Sequence, residues 1–405
     1  MEQYSKRPTS QHLASVQPSA TLAVTQLARE LRAKGLDVIG LGSGEPDFDT
    51  PDHIKQAAVE AIASGKTKYT PVDGIPELKQ AVVDKFARDN NLQYDLENIS
   101  IAPGGKAIIF NAMMATLNPG DEVIMPTPCW VSHPAIVRLC GAKPVLVPCA
   151  AGDDFKLRAG ALADAITSKT KWLILNSPSN PTGMTYSAAG LAALGDVLRA
   201  HPHVMVLSDD IYEHLVYDNN EFVTFAEIVP DLHERVLTMN GVSKSYAMTG
   251  WRIGYAGGPS WLIKLMAKVM AQTTTNPCSI SQWAAVAALN GPQGFMAERV
   301  QAFTARRDMV VAALQSAKGL SCVKPDGAFY VYPDCSGLIG RTSAGGMFLE
   351  TDIDVAKAIL EEALVAVVPG SAFHGSPNFR ISYAADMETL KIACTRIIKF
   401  CQTVK

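Results

Sequence analysis

The stretch that decides the fold reads VLTMNGVSKSYAMTGWRIGY and covers residues 236–255. It begins with an apolar, β-rich run, Val236–Met239, and a second such run starts at Ile253. Between them lies a turn of small and polar residues that carries Lys244 and, eight positions later, Arg252. An apolar run without alternation is typical of a strand that is buried on both faces. The stretch therefore predicts a buried strand that leads into a loop with a lysine.

Lys244 occupies a setting in which a lysine can act as a nucleophile. At the end of a buried strand facing a crowded cleft, burial and a nearby cation both favour the neutral amine. A neutral amine is the form that makes Schiff bases with aldehydes. Ser243 and Arg252 would add an anion-binding site beside it. Taken alone, the segment also fits an exposed loop lysine with no chemical role.

Apolar runs of the same kind recur between residues 97 and 258. They are short, bounded by Gly, Pro or Asn, and most gaps between them leave room for a crossover helix. The runs are Ile99–Ala102, Glu122–Met125, Pro144–Val147, Trp172–Leu175, Val204–Leu207, Val236–Met239 and Ile253–Ala256. This pattern predicts an α/β fold with a mostly parallel sheet covered by helices.

The composition excludes several classes of protein. Of the 405 residues 48% are hydrophobic and 19% are charged, with a net charge of -3, so the chain is neither disordered nor of low complexity. It has no basic excess for nucleic acid, no apolar stretch of the ~20 residues that span a membrane, and no apolar signal-peptide core. The eight cysteines form no CxxC pair and the histidines no HExxH motif, so we expect a cytoplasmic protein without a metal site.

Three further segments follow predicted strands and carry polar side chains that suit a ligand. Asn180 lies in a rigid Asn-Pro-Thr-Gly turn, while Asp209 and Tyr212 follow the next strand along the chain. The small residues before Lys106 leave the first N–H groups of a helix free to bind a phosphate. Each segment has an ordinary structural alternative, namely a rigid turn, a helix-capping aspartate and a helix that begins after glycines.

Together these segments indicate one cofactor. Ligands of open α/β sheets bind at the carboxyl ends of the strands, so the segments should line a single cleft. That cleft would hold a lysine nucleophile, a carboxylate for a protonated ring nitrogen, a tyrosine for a phenolate oxygen and a phosphate site. The combination matches pyridoxal 5′-phosphate.

The chain resembles the fold-type I aminotransferases of class I, specifically the bacterial aspartate aminotransferases of the compact subgroup. The motifs that carry the resemblance are Gly44-Glu45-Pro46-Asp47-Phe48, Lys66-Thr67-Lys68-Tyr69, Pro128-Cys129-Trp130-Val131-Ser132, Asn180-Pro181-Thr182-Gly183, Ser243-Lys244 and Phe379-Arg380-Ile381-Ser382-Tyr383. It implies a mostly parallel seven-stranded sheet in a large cofactor-binding domain, residues 49–295, and a smaller α+β domain, residues 296–405. Residues 1–48 would form an N-terminal arm and part of the small domain.

The resemblance also implies how the cofactor is held. Lys244 would bind it as an internal aldimine and shuttle a proton between the substrate Cα and the cofactor C4′, while Asp209 would keep the ring nitrogen protonated. Tyr212 and Asn180 would bind the ring oxygen, and Trp130 would stack on the ring. The implied phosphate ligands are Gly105, Lys106, Ser243, Arg252 and, across a subunit boundary, Tyr69.

The substrate contacts follow from the same resemblance. Arg380 would clamp the α-carboxylate in the bidentate geometry that suits a guanidinium. Gly44, Trp130 and Asn180 would lie in the same substrate pocket. Because Tyr69 would reach the phosphate of the neighbouring subunit, the resemblance implies a homodimer with shared active sites.

The chain departs from the family pattern at three positions. Gln17 stands where close relatives carry a lysine, so an amide would meet a distal carboxylate and the KM for aspartate should be raised. In the alternative interpretation, residue 17 only shapes an N-terminal arm. Cys129 replaces a frequent tyrosine, which should alter packing, and the loop around His374 lacks the usual glycine-rich form.

The predicted activity is the transfer of an amino group from L-aspartate to 2-oxoglutarate by a ping-pong mechanism. The alternatives are a broader aminotransferase that accepts aromatic amino acids or prephenate, and a pyridoxal-phosphate lyase or decarboxylase on the same fold. Arg380 argues for retention of the carboxylate. A ligand-sensing regulator with a helix-turn-helix is a further alternative, but residues 1–18 are too short for that module.

Overall fold

The structure is a computed structural model that describes residues 10–16, 18 and 20–405. Its helices are α1 (Gln11–Ala14), α2 (Ala20–Ala33), α3 (Asp52–Ala63), α4 (Pro76–Asn90), α5 (Gly105–Thr116), α6 (Ser132–Leu139), α7 (Ala159–Ala165), α8 (Ala188–Arg199), α9 (Phe225–Ile228), α10 (Ser260–Ala271), α11 (Ser279–Asn290), α12 (Phe295–Ser316), α13 (Asp352–Ala363) and α14 (Met387–Thr403). Its strands are β1 (Ile39–Gly40), β2 (Ile99–Ala102), β3 (Glu122–Thr127), β4 (Lys143–Pro148), β5 (Thr170–Asn176), β6 (Met205–Asp209), β7 (Val236–Gly241), β8 (Gly254–Gly257), β9 (Tyr330–Val331), β10 (Arg341–Thr342), β11 (Phe348–Leu349), β12 (Val365–Ala366), β13 (Val368–Pro369) and β14 (Phe379–Ser382).

A seven-stranded sheet forms the centre of the molecule, as the sequence predicts. Its strand order is β2-β8-β7-β6-β5-β3-β4, and every pairing is parallel except the two that β8 makes with its neighbours. All seven predicted runs are strands, with bounds that differ by at most two residues. The prediction of an α/β fold with a mostly parallel sheet is therefore confirmed.

The apolar runs lack alternation because helices cover both faces of the sheet. On β5, Leu173 and Leu175 belong to the apolar cluster on one face, whereas Trp172 and Ile174 belong to the cluster on the other. The first cluster includes residues of α3, α4, α8 and α11, and the second includes residues of α5, α6 and α10. A strand between two apolar layers needs apolar side chains at every position.

The chain after α11 builds a second apolar core around a smaller sheet. Strands β13, β14 and β9 form an antiparallel sheet, against which α12, α13 and α14 contribute buried side chains. Strand β1 pairs in parallel with β12, so a segment from the start of the chain completes this part. The division into a large domain, residues 49–295, a small domain, residues 296–405, and a segment 1–48 that forms an N-terminal arm and part of the small domain stays a prediction.

The register of the parallel strands aligns three chain positions. Asn176 at the end of β5 pairs with Asp209 at the end of β6, and Asp209 pairs with Met239 of β7. Asp209 is thus the last residue of β6, whereas the predicted strand ends two residues before it, at Leu207. The alignment brings polar side chains of separate segments to one edge of the sheet.

None of the helices in the described part of the chain combines the length and apolar character needed to cross a membrane.

Candidate active site

A cavity of about 360 Å³ opens at the carboxyl ends of β5, β6 and β7. The small domain closes it on the other side with Tyr330 of β9 and Arg380 of β14. Its wall contains nearly all of the residues that the sequence predicts for the site: Gly44, Gly105, Lys106, Trp130, Asn180, Asp209, Tyr212, Ser243, Lys244, Arg252 and Arg380. The structure therefore brings together segments that lie more than 300 positions apart in the sequence.

Lys244 lies in the cavity wall, where its amine is easily deprotonated. Its Nζ donates a hydrogen bond to the carbonyl oxygen of Gly44 at 2.6 Å. Burial lowers the pKa of Lys244 to about 8, and the positive charges of Arg380 and Arg252 act in the same direction, against the carboxylate of Glu45. A substantial fraction of this amine is thus neutral near pH 8, as nucleophilic attack requires.

Asp209 is held by a buried histidine that the sequence analysis does not identify. Its Oδ2 lies 3.2 Å from His133 Nε2, and only 3% of Asp209 and 1% of His133 are exposed. The ring of His133 meets the edge of Trp130 with 5.2 Å between the centroids. The carboxylate is therefore fixed in place at the base of the cavity, close to the aromatic side chain that would cover a ring.

Tyr212 reaches across the cavity to the small domain. Its hydroxyl lies 2.8 Å from the hydroxyl of Tyr330, and both side chains are buried. Burial and the neighbouring Tyr330 raise the pKa of Tyr212 well above its usual range, so the phenol is protonated and can donate a hydrogen bond. Gly44 is required beside this pair, because a Cβ at that position would lie 2.7 Å from the Tyr330 hydroxyl.

Arg380 is a buried cation whose hydrogen-bond partners are neutral. It donates to Asn180 Oδ1 at 2.8 Å and to the carbonyl oxygen of Gly42 at 2.6 Å. Its guanidinium lies 4.5 Å from the centroid of the Tyr330 ring, and its Nε has no partner although it is buried. Among the described residues, no carboxylate pairs with Arg380. Such a group is set up to receive an anion, since a buried charge without a counter-charge is unfavourable.

The start of α5 forms a second anion site. Gly104 precedes this helix and has no side chain to cap it, although its carbonyl oxygen accepts from the Ala107 N–H at 3.0 Å. Gly105 and Lys106, the first two residues of the helix, line the cavity, where uncapped N–H groups suit an anion. A Cβ at Gly104 would collide with the Arg252 guanidinium, and a Cβ at Gly254 would collide with the backbone nitrogen of Gly105. Burial and Arg252 lower the pKa of Lys106, whose Nζ lies 5.0 Å from the centroid of Trp130. The two glycines thus allow Lys106, Arg252 and the start of α5 to lie close together at the cavity.

Three described positions that the sequence singles out do not line the cavity wall. Tyr69 is 89% exposed on the surface of the single chain. Cys129 is buried, its backbone N–H donates to the carbonyl oxygen of Phe373 at 2.9 Å, and burial raises its thiol pKa to about 12. This is the packing role that we expect for Cys129. His374 lies outside the wall, and Gln17 falls outside the described residues.

Three residues that the structure places at the site, Asn176, Tyr330 and His133, are not among those predicted from the sequence. Asn176 lines the cavity, and its side chain joins neighbouring elements by donating to the carbonyl oxygen of Asp209 at 2.9 Å and accepting from the Asn180 N–H at 2.8 Å. Its position at the end of an apolar run is a signal that could identify it. Tyr330 and His133 act through partners that are distant in sequence, and no local pattern marks them.

Comparison with known proteins identifies the family. The model of the family "Aminotransferase class I and II" matches residues 36–397. The chain is 59% identical over 392 residues to an aspartate/prephenate aminotransferase of Cereibacter sphaeroides, covering 97% of this chain and 98% of that protein.

Solved structures give the same result for the fold. The crystal structure of an aspartate aminotransferase from Rhizobium meliloti superimposes with a TM-score of 0.96 at 53% identity, covering 98% of this chain and 100% of that one. An aspartate aminotransferase from Thermus thermophilus with maleate gives a TM-score of 0.91 at 42% identity, covering 97% and 100%. The chain therefore belongs to the class I and II aminotransferases and has their fold-type I architecture.

Proposed function

We propose that this aminotransferase uses pyridoxal 5′-phosphate to move an amino group from L-aspartate to 2-oxoglutarate in a ping-pong reaction. One observation carries the proposal. A single cavity holds an amine with a pKa of about 8, a buried carboxylate at a strand end and a buried guanidinium that pairs with no carboxylate among the described residues. These are the groups needed to bind an aldehyde cofactor and an amino acid side by side.

The residues present fit the cofactor. The uncapped start of α5, with Lys106 and Arg252, suits a phosphate, and the absence of a Cβ at Gly104 lets the Arg252 guanidinium lie beside the helix start. Asp209 would hold a protonated ring nitrogen, and the protonated phenol of Tyr212 would donate to a ring oxygen. Asn180 and Trp130 line the remaining wall. Bound pyridoxal phosphate supplies an aldehyde that condenses with amines and a ring that withdraws electrons from the substrate Cα.

The chain's own residues then orient the substrate and move the proton. Arg380 would bind the substrate α-carboxylate through the charge-assisted bonds that its neutral partners do not supply. Lys244, with its lowered pKa, can accept the proton from the substrate Cα at its Nζ and return it near neutral pH. Because the α-carboxylate is held by a buried cation, we propose transfer of the amino group and not loss of carbon dioxide.

The choice of aspartate as donor is supported by relatives of this chain. Aspartate is in the names of the relatives from Cereibacter sphaeroides and Rhizobium meliloti, and the Thermus thermophilus structure contains the dicarboxylate maleate. The name of the Cereibacter sphaeroides relative also contains prephenate, so a broader range that includes prephenate is the second candidate. Gln17 should raise the KM for aspartate relative to a lysine at that position, and Gln17→Lys should lower it.

A homodimer with shared active sites is part of the proposal. Tyr69 has a large aromatic surface that is 89% exposed in the single chain, and it does not reach the chain's own cavity. A second copy would cover this surface and receive the Tyr69 hydroxyl at its phosphate site.

A panel of amino donors with 2-oxoglutarate as acceptor tests the function. We expect aspartate to react, with kcat/KM at least as high as for phenylalanine or alanine. Glutamate is tested as donor with oxaloacetate as acceptor, because its reaction with 2-oxoglutarate regenerates the same two compounds. Release of carbon dioxide or ammonia without stoichiometric formation of glutamate would contradict the proposal in favour of a lyase. Glutamate as donor with prephenate as acceptor tests the broader range.

A further inference from the structure

Three buried polar side chains outside the cavity wall contact one another, and we name them the Lys85 triad. It consists of Lys85 and Asn90 of α4 and Glu213, which follows β6. Lys85 Nζ forms an ion pair with Glu213 Oε1 and donates to Asn90 Oδ1 at 2.6 Å. Asn90 Nδ2 donates to Glu213 Oε2 at 2.8 Å. Each member thus contacts the other two, and both oxygens of Glu213 are used.

The Lys85 triad is buried, and apolar side chains pack against Lys85. None of the Lys85 surface is exposed, and Asn90 and Glu213 are 3% and 5% exposed. The Lys85 amine lies 5.1 Å from the centroid of the Phe86 ring within the larger apolar cluster. An ion pair in such a place adds little to stability, since apolar side chains of similar volume often do as well. Its effect is to select one arrangement of the elements that it joins.

The element joined to α4 is the turn that carries Tyr212. Glu213 directly follows Tyr212, its N–H donates to the carbonyl oxygen of Asp210 at 3.0 Å, and the Leu215 N–H donates to the Tyr212 carbonyl at 2.8 Å. The Asp210 carboxyl is bound by Ser208 at 2.7 Å and by Thr224 at 2.6 Å. The turn is therefore fixed at Asp210 on one side and at Glu213 on the other.

Other charged groups border the Lys85 triad without replacing its contacts. His214 Nε2 lies 3.1 Å from Glu213 Oε1 and 3.7 Å from Asp89 Oδ2. Burial alone would raise the pKa of Glu213, but Lys85 and His214 hold it below its ordinary value. Although Asp89, Glu213 and His214 are close enough together to bind a cation, Lys85 already supplies the positive charge at Glu213. We therefore interpret the cluster as a structural ion pair.

We propose that the Lys85 triad positions the Tyr212 hydroxyl for its contact with the cofactor. The proposal rests on the function proposed above, in which Tyr212 donates to the ring oxygen. Lys85, Asn90 and Glu213 do not line the cavity, so they act only through the turn. A buried anchor is effective here because small displacements of an active-site group reduce its contribution strongly.

The experiment compares Glu213→Gln, the double variant Lys85→Met/Glu213→Met and Tyr212→Phe as holoenzymes. The midpoint of the pH titration of the bound cofactor's absorbance reports the hydrogen bond to the ring oxygen. We expect Tyr212→Phe to raise this midpoint by about one pH unit and Glu213→Gln to raise it by about half as much. The double variant removes both charges at similar volume, so its melting temperature should fall only by the cost of the Asn90 amide that it leaves without partners, while its midpoint stays raised.

A combined variant and a control separate positioning from general destabilisation. Adding Glu213→Gln to Tyr212→Phe should move the midpoint no further, because the two residues act on one contact. Arg307→Met removes another buried cation, which pairs with Asp218 outside the cavity, and it should leave the midpoint unchanged.

Three outcomes would overturn the inference. They are a parental midpoint in the double variant, additive effects in the combined variant, and an equal shift in Arg307→Met. If Tyr212→Phe itself leaves the midpoint unchanged, the role proposed for Tyr212 is wrong and the inference falls with it. A shift in Tyr212→Phe without one in the Glu213 variants refutes the positioning role alone.

Discussion

Replacement of Arg380 by methionine should reduce activity and preserve the stability of the cofactor-free protein. Arg380 is 2% exposed and binds only the neutral oxygens of Asn180 and Gly42. Burial lowers the pKa of Arg380, because the charged guanidinium loses solvation there. A methionine of similar length would remove that unfavourable charge while it keeps apolar contact with the aromatic ring of Tyr330.

The magnitude for activity follows from the missing counter-charge. Loss of one member of a buried, hydrogen-bonded charge pair costs about 2–5 kcal/mol. Since each 1.4 kcal/mol corresponds to about a factor of ten, kcat/KM should fall by roughly 30-fold to several thousand-fold. The α-carboxylate is common to all amino acids, so the loss should be similar for aspartate, glutamate, alanine and phenylalanine.

The assay combines steady-state kinetics on these four donors with thermal unfolding. Maleate should raise the melting temperature of the parent and have little effect on Arg380→Met. Arg306 provides the control, because it forms a bidentate pair with Asp47 at 2.7 and 2.9 Å, and Arg306→Met leaves a carboxylate unpaired. We expect Arg306→Met to lower the melting temperature of the cofactor-free protein and Arg380→Met to leave it unchanged or raised.

Two results would refute this reasoning. A loss confined to dicarboxylic donors would place Arg380 at the side-chain carboxylate and not at the α-carboxylate. A large drop in the melting temperature of cofactor-free Arg380→Met would show that the guanidinium is a structural group.

The remaining predictions concern Asp209, Tyr69 and Lys244. Asp209→Asn should lower kcat by about a hundredfold or more with an unchanged circular dichroism spectrum, because a neutral amide cannot hold the ring nitrogen protonated; activity within a few-fold of the parent would leave Asp209 as a structural residue. Tyr69→Phe should weaken cofactor retention, and in mixed dimers with Lys244→Ala the defect should appear at the site of the other subunit; an effect confined to the chain's own site would contradict shared sites. Burial lowers the folded-state pKa of Lys244 to about 8, below the usual 10.5, so this lysine makes the free energy of unfolding of the cofactor-free protein rise with pH between these values. Buried thiols such as Cys129 and Cys322, whose pKa burial raises to about 12, act in the opposite direction. The free energy of unfolding of the parent minus that of Lys244→Met should therefore rise with pH, and a difference that does not change with pH would show that Lys244 is not the titrating group.

The sheet and the strand-end residues could be predicted because their signals are local. Apolar runs without alternation, such as Trp172–Leu175, mark strands buried on both faces, and a polar residue directly after such a run marks the edge where ligands bind. Asp209 and Lys244 are found in this way. Sequence patterns are weaker at the ends of elements. The predicted strand therefore stops at Leu207, whereas β6 continues to Asp209.

The groups that complete the site could not be predicted, because they depend on distant contacts. Tyr330 belongs to a strand of only two residues and meets Tyr212 across 118 positions of sequence. His133 meets Asp209 across 76 positions. Lysine is seldom buried, so the sequence does not mark Lys85. Its buried ion pair with Glu213 depends on the packing of α4 against the turn that carries Tyr212.

The central claim, that Lys244 binds a pyridoxal phosphate cofactor, is tested most directly by borohydride reduction of the holoenzyme followed by peptide mass mapping. The cavity contains two lysines, Lys244 and Lys106, and the surroundings lower the pKa of both. The account predicts one reduced cofactor per chain on the peptide that contains Lys244, and none on the peptide that contains Lys106. Recovery of the cofactor on Lys106, or of no covalent cofactor in a protein that is active with aspartate and 2-oxoglutarate, would contradict it.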